Sequence, residues 1–166
     1  FLFSGLAVAL TAVLIDPRVA LTETAAENAT PKRAKDSPME EGRPSATALG
    51  AAIHRAAHQL LDVPKILDDP LALRIIGANA ESALRANPWR FQKSRSLRSF
   101  IVLRSRYAED ELACAIERGV RQYVILGAGL DTFAYRNPYP GSRLRVFEVD
   151  HPATQSWKRM RLREAD

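Results

Sequence analysis

An α/β fold with a doubly wound parallel sheet, entered through a run of helices, is what the sequence predicts. Three observations carry that prediction. "VRQYVILGAG" is an apolar run that ends in Gly127 and Gly129. "SRLRVFEVD" is a second run of strand character, closed by Asp150. A long helical pattern stands before the first run and a helix opener follows the second. Helix, strand, glycine turn, short helix, strand, acid is the opening order of such a sheet. Its ligands bind in the crevice outside the carboxyl ends of the strands.

Residues 1–15, "FLFSGLAVALTAVLI", are almost wholly apolar. They fall short of the roughly 20 residues a spanning helix needs, and no basic region precedes them as in a secretory signal. They are read as an upstream extension outside the fold, with the tail of a truncated signal or anchor as the competing reading. Residues 16–46 carry Pro17, Pro31, Pro38 and Pro44 and no apolar period, which predicts a flexible linker. The chain opens at Phe1, not at a methionine, and stops at Asp166 inside a helical pattern. A fragment at both ends is therefore expected, with Met39 as the true start. The organised part is expected over residues 44–166, with residues 1–43 outside it.

"TALGAAIHRAAHQLLD" sets Leu49, Ile53, Ala56, Ala57, Leu60 and Leu61 on one helical face, with Thr47 as N-cap. In "VPKILDDPLALRIIG", Asp68 or Asp69 caps a short helix from Pro70 to about Ile76, stopped by Gly77. "NAESALRANPWRF" predicts a short helix ended by Asn87 and Pro88. In "SRSLRSFIVLRSRYAEDELACAIERG", Leu97, Ile101, Arg104, Ala108, Leu112 and Ile116 share a stripe, and Gly119 follows the helix end. Tyr123 to Leu126 suits a central strand buried on both faces. Pro152 opens the last helix.

Composition narrows the function classes. The chain has 166 residues, of which 46% are hydrophobic and 26% charged, an ordinary globular balance. The net charge of +5 is spread out except in "WKRMRLRE", and no compact basic patch with interleaved aromatics appears, so no nucleic acid is expected. A single cysteine, Cys114, excludes an internal disulfide, and it is read as a buried structural thiol. His54, His58 and His151 have no spacing to acids or cysteines that suggests a metal.

The glycines make room for a ligand. Gly127 lets the chain turn sharply off the strand, and Gly129 removes a side chain where a ligand approaches the backbone. Asp150 follows Gly129 by 21 residues, close to the roughly 20-residue offset at which an acid meets ribose hydroxyls. Together they predict a cofactor that contains adenosine. A dinucleotide fingerprint wants a third glycine where Thr132 stands. That departure argues against NAD and for a ligand without phosphates, such as S-adenosyl-L-methionine.

"ILGAGLDTFAYR" and "RVFEVDHPATQSWKR", preceded by "ILDDPLALRIIG" and "SRYAEDEL", resemble the leucine carboxyl methyltransferase-like family. The likeness is nearer to its bacterial branch of S-adenosyl-L-methionine-dependent O-methyltransferases, and it covers residues 45–166 but not 1–43. The resemblance implies a class I methyltransferase Rossmann-like sheet. Only the N-terminal helices and the first two strands of that sheet are expected here. It also implies the cofactor S-adenosyl-L-methionine and methyl transfer to a small-molecule or carboxylate oxygen. A cytoplasmic location is implied too, with no membrane contact by residues 44–166. Cofactor contacts are implied for Gly127, Gly129 and Asp131, for Asp150 on the ribose, and for Arg104 on the cofactor's carboxylate. Thr132 matches the partner of Asp131, and Arg106 is the alternative arginine. The chain by itself is expected to hold the first half of the cofactor site and to be inactive alone.

Plainer roles stand beside these. Arg104 and Arg106 suit solvated positions, Asp131 an N-cap, and Glu148 a place beside Asp150 without ligand contact. His54 and His58 suit surface or packing positions. Tyr107, Phe133 and Tyr135 suit a core, and the run from Trp157 through Lys158 to Arg163 a solvated helix face. Two other functions compete: an NAD(P)-binding oxidoreductase, and a non-catalytic truncated fragment with exposed strand edges. A membrane-anchored protein ranks below both.

Overall fold

The computed structural model describes residues 11–15 and 44–163. Of the linker expected over residues 16–46, residues 16–43 lie outside the described residues, as do residues 1–10 and 164–166, whereas Ser45 caps and Ala46 opens the first helix. Helices α1 (Ala46–Leu61), α2 (Ala72–Ile76), α3 (Ala78–Ala86) and α4 (Arg95–Glu117) lead into strand β2 (Gln122–Leu126). The short helix α5 (Phe133–Arg136), strand β3 (Arg145–Val149) and helix α6 (Pro152–Arg163) follow. A strand β1 (Thr11–Ile15) precedes them all.

The sheet has the order β1-β2-β3. β2 and β3 run parallel, with Val124 opposite Phe147 and Leu126 opposite Val149. β1 runs antiparallel along the other edge of β2, with Thr11 opposite Leu126 and Ile15 opposite Gln122. Two strands were expected and an apolar extension outside the fold. Instead, five residues of that extension supply backbone partners to an edge that would otherwise present unpaired donors and acceptors.

Two apolar clusters hold the elements. One joins α1, α2 and α3 through Ala52, Ala56, Ile75 and Leu84, with Leu130 and Leu162 closing it. The other packs Leu112 and Ile116 of α4 on Tyr123 and Ile125 of β2, beside Phe133 and Leu144. Tyr123 and Phe133 meet edge to face with centroids 5.5 Å apart. β2 is buried along most of its length, as its apolar run predicts, whereas β3 alternates between exposed and half-buried positions.

Local signals place most of the helix ends. Gly77 and Gly119 stop α2 and α4 with φ of 84° and 100°, a region glycine enters at little cost. Asp69 receives the Leu71 backbone N–H at 3.1 Å ahead of α2. The cap of α1 is Ser45, whose Oγ accepts from the Ala48 N–H at 3.1 Å, so Thr47 lies in the first turn instead. The α4 stripe is rotated at its N-terminal half. Ile101, Val102 and Ser105 are buried, while Leu97 is partly exposed. The physical reason is Arg98. Its buried guanidinium grips the Asp62 carboxylate with Nε at 2.7 Å and a terminal nitrogen at 2.8 Å.

Four further expectations are corrected. Cys114 is exposed, because the buried face of α4 runs through Leu112, Ala115 and Ile116. Tyr107 and Tyr135 are exposed, and of the three aromatics only Phe133 is core. Lys158 and Leu162 are buried, so the end of α6 is not a uniformly solvated face. His58, by contrast, packs as expected. Its Nδ1–H donates to the Asp62 carboxylate at 2.8 Å, and its Nε2 accepts from the Ile66 N–H at 3.0 Å. No helix among the described residues is long and apolar enough to cross a membrane.

Asp62 carries a pH dependence. The hydrogen bonds from Arg98, reinforced by His58, hold its carboxyl down to about 2 from an ordinary 3.8. A carboxyl depressed in the fold stabilises it above the ordinary value, and that contribution is lost as pH falls through the folded value. Urea unfolding of wild type and Asp62→Asn is therefore expected to show a constant gap in midpoint above about pH 5. The gap should close between about pH 4 and 2. A gap that does not change over that range would refute the Asp62–Arg98 assignment.

Candidate functional site

The carboxyl ends of β2 and β3 meet at the glycine turn. Gly127 and Gly129 adopt φ of 64° and 52°, which lets the chain leave β2 and double back at once. The Gly127 and Ala128 N–H groups both donate to the Val149 carbonyl, at 2.8 and 3.2 Å. Asp150, one residue further, accepts from the Gly129 N–H through Oδ2 at 2.6 Å and from the His151 N–H through Oδ1 at 2.6 Å. The acid at the end of the second strand thus clamps the turn at the end of the first. A Cβ added to Gly129 would sit 3.2 Å from the Ala48 Cβ, so the first turn of α1 leans directly on this loop.

A buried carboxylate fixes the rest of the loop. Asp69 is sealed from solvent and accepts from the Thr132 hydroxyl at 2.6 Å. Arg55 and Arg136 approach it at 3.7 and 3.5 Å. Arg55 also donates to the Leu130 carbonyl at 2.5 Å, and Arg136 pairs with Glu109 of α4. Thr132 is fully buried. Its side chain fills the place where a dinucleotide fingerprint would have a third glycine. Asp131 accepts from the Phe133 N–H at 2.8 Å, but the helix cap is Thr132, so Asp131 makes an Asx turn one residue ahead of the N-cap place expected of it, and it is buried.

These elements enclose a cleft of about 330 Å³. Arg104, Gly127, Gly129, Asp131 and Asp150, dispersed over 47 positions of sequence, all line it. Ser45, Ala48 and Ala51 of the α1 end line it too, as do Arg55 and Ser105. The electrostatics favour an anion on one side. Burial lowers the Arg104 pKa from its ordinary value, the nearby Arg55 guanidinium lowers it further, and Asp131 opposes both. Arg106 lies on another face of α4, half exposed and paired with Asp110, and is not a cleft residue. Glu148 is held by the buried Lys158, and burial raises its pKa against that partner. It makes no part of the cleft lining.

Arg55 and Arg136 were not singled out from the sequence, and Asp69 was read only as a helix cap. "DDP" and "HRAAH" read as a cap and a helix face. Only the folded chain shows that these charges converge on the loop after β2. No group of His, Cys, Asp and Glu among the described residues is placed to hold a metal ion.

The sequence model of the family "Leucine carboxyl methyltransferase" matches residues 48–166. Over 150 residues the chain is 37% identical to "Putative S-adenosyl-L-methionine-dependent methyltransferase YktD" of Bacillus subtilis, covering 77% of this chain and 49% of that protein. Proteins of the same description in Frankia alni and Mycobacteroides abscessus are 36% and 37% identical. Those matches cover 72% and 68% of this chain and 43% and 37% of theirs. The chain therefore spans about half, or less, of the length of these relatives. Matched along most of its own length, with its glycine turn, its acid and its helical arginine gathered in one cleft, the chain belongs to the leucine carboxyl methyltransferase family.

Proposed function

We propose that this chain forms the first part of an S-adenosyl-L-methionine site in a methyltransferase that acts on an oxygen acceptor. The observation that carries the reading is the convergence of Arg104, Gly127, Gly129, Asp131 and Asp150 on one cleft. The parallel β2–β3 pair with its glycine turn is read as the start of a class I, Rossmann-like doubly wound sheet.

The residues fit that cofactor. Each Asp150 oxygen receives one backbone N–H and keeps lone-pair capacity for the two hydroxyls of a ribose. Arg104 stands near a second guanidinium, so an added carboxylate relieves their repulsion and offers a planar fork its natural partner. Thr132, hydrogen-bonded and buried, keeps the loop from the close approach a pyrophosphate requires. When bound, the cofactor supplies an electrophilic methyl that passes to the acceptor oxygen, the sulfur keeping the electron pair of the broken bond. The chain's own part is to orient the cofactor and hold its polar groups away from water.

Calorimetric titration tests this. S-adenosyl-L-methionine and S-adenosylhomocysteine are expected to bind and NAD is not. Asp150→Ala and Asp150→Asn are each expected to weaken binding by about tenfold, the loss of a charge-assisted hydrogen bond. Circular dichroism should show both variants folded. Arg104→Lys should also weaken binding by about tenfold, and Arg106→Lys should not change it. Asp150→Ala binding as tightly as wild type would sink the ribose assignment. NAD binding in place of the sulfonium would turn the site over to the oxidoreductase reading. A separate expectation concerns the turn itself. Gly129→Ala should lose about 1–2 kcal/mol of unfolding free energy, since a side chain there is strained and crowds Ala48.

A further inference from the structure

A second cavity, of about 310 Å³, lies against the first. Thr47 and Ala51 line both. Its remaining walls come from Ala46, Gly50 and His54 of α1 and from Leu97 and Ile101 near the start of α4. The lining is apolar apart from the Thr47 hydroxyl and the His54 imidazole.

Two features make this more than a gap between helices. Gly50 sits inside α1, where glycine is among the poorest residues. Its φ is not positive, and a Cβ added there would meet nothing within 4 Å. No turn or close approach requires a glycine, yet the space beside it is left open. His54 is the second feature. Its Nδ1 is buried and has no hydrogen-bond partner among the described residues. The edge of its ring meets Phe91 with centroids 6.5 Å apart. Burial, helped by the Arg98 charge, pushes its pKa below the ordinary value of 6.5. A neutral imidazole both donates and accepts a hydrogen bond, as a hydroxyl does. With no charged side chain in its lining, the pocket offers an ionic ligand no partner.

We propose that this pocket receives the methyl acceptor, and that the acceptor is a small, mainly apolar alcohol or phenol whose hydroxyl meets His54. The inference rests on the methyltransferase reading and narrows it. Apolar walls grip the carbon frame, the imidazole orients the oxygen, and the shared Thr47–Ala51 wall sets that oxygen beside the cofactor cleft. His54 is on this view a positioning residue for the acceptor, and Gly50 sets the size of what enters.

The probe is 2-naphthol, followed by its own fluorescence on the intact 166-residue chain. Wild type is expected to bind it saturably, both alone and with S-adenosylhomocysteine present. Gly50→Leu fills the cavity without a backbone clash and should weaken naphthol binding at least about tenfold while S-adenosylhomocysteine binding is retained. Gly141→Leu, on an exposed loop, should change neither. His54→Leu should weaken naphthol by about three- to tenfold, the worth of one hydrogen bond. The proposal is overturned if wild type fails to bind naphthol, if Gly50→Leu binds it unchanged, or if S-adenosylhomocysteine competes it off. Naphthol binding that depends on Gly50, with both cofactor forms silent in calorimetry, would overturn the acceptor role through the methyltransferase reading while the pocket itself survived.

Discussion

A carboxylate sealed inside the fold is the constraint on which the rest depends. Asp69 is almost without solvent contact. An ion in that position is costly unless charge and hydrogen bonds compensate it. Compensation comes from four directions: the Thr132 hydroxyl, the Leu71 N–H, and the Arg55 and Arg136 guanidiniums. Each partner belongs to a different piece of chain. Satisfying one buried charge therefore draws α1, the start of α2, the loop after β2 and α5 to one point. Arg136 carries the tie onward to Glu109 of α4. The loop that carries the two site glycines is fastened from beneath by this network and from the side by Asp150.

The cleft inherits its character from that fastening. Arg55 is held at the loop by Asp69 and the Leu130 carbonyl, which sets its positive charge near Arg104. Asp131 accepts the Phe133 N–H in the next turn and at the same time offsets the Arg55 charge at Arg104. In the proposed site, structural and binding duties fall on the same carboxylates, Asp131 and Asp150, which shape the turn and line the cleft. A loop fastened in this way spends little free energy on ordering when a ligand arrives.

Legibility followed the range of the interaction. The glycine turn, the acid after the second strand and the helix stops at Gly77 and Gly119 were readable because backbone conformation at those points is a local matter. The central strand was readable because an apolar run has few other uses. Arg104 was reached through a resemblance, and the fold sets it on the cleft. Cys114, Tyr107 and Lys158 were misread for two reasons. Helical periodicity gives the width of a buried face but not its rotation, and on α4 the Arg98–Asp62 pair sets that rotation. On α6 the Glu148 carboxylate draws Lys158 inward against the pattern. The strand at Thr11–Ile15 was missed because its partner is more than a hundred residues away.

By itself, then, the sequence determined the order of elements from α1 to α6, the sharp turn after β2 and the acid 21 residues beyond Gly129. All of these are settled by covalent neighbours, steric limits on φ and ψ, and apolar pattern. Tertiary structure alone decided that Arg55, Asp69 and Arg136 converge beneath the loop after β2, and that Gly50 and His54 share a pocket beside the cleft. The physical reason is that buried charges are compensated by whatever partner packing brings within reach, and that partner's distance along the chain leaves no mark on either segment's local pattern.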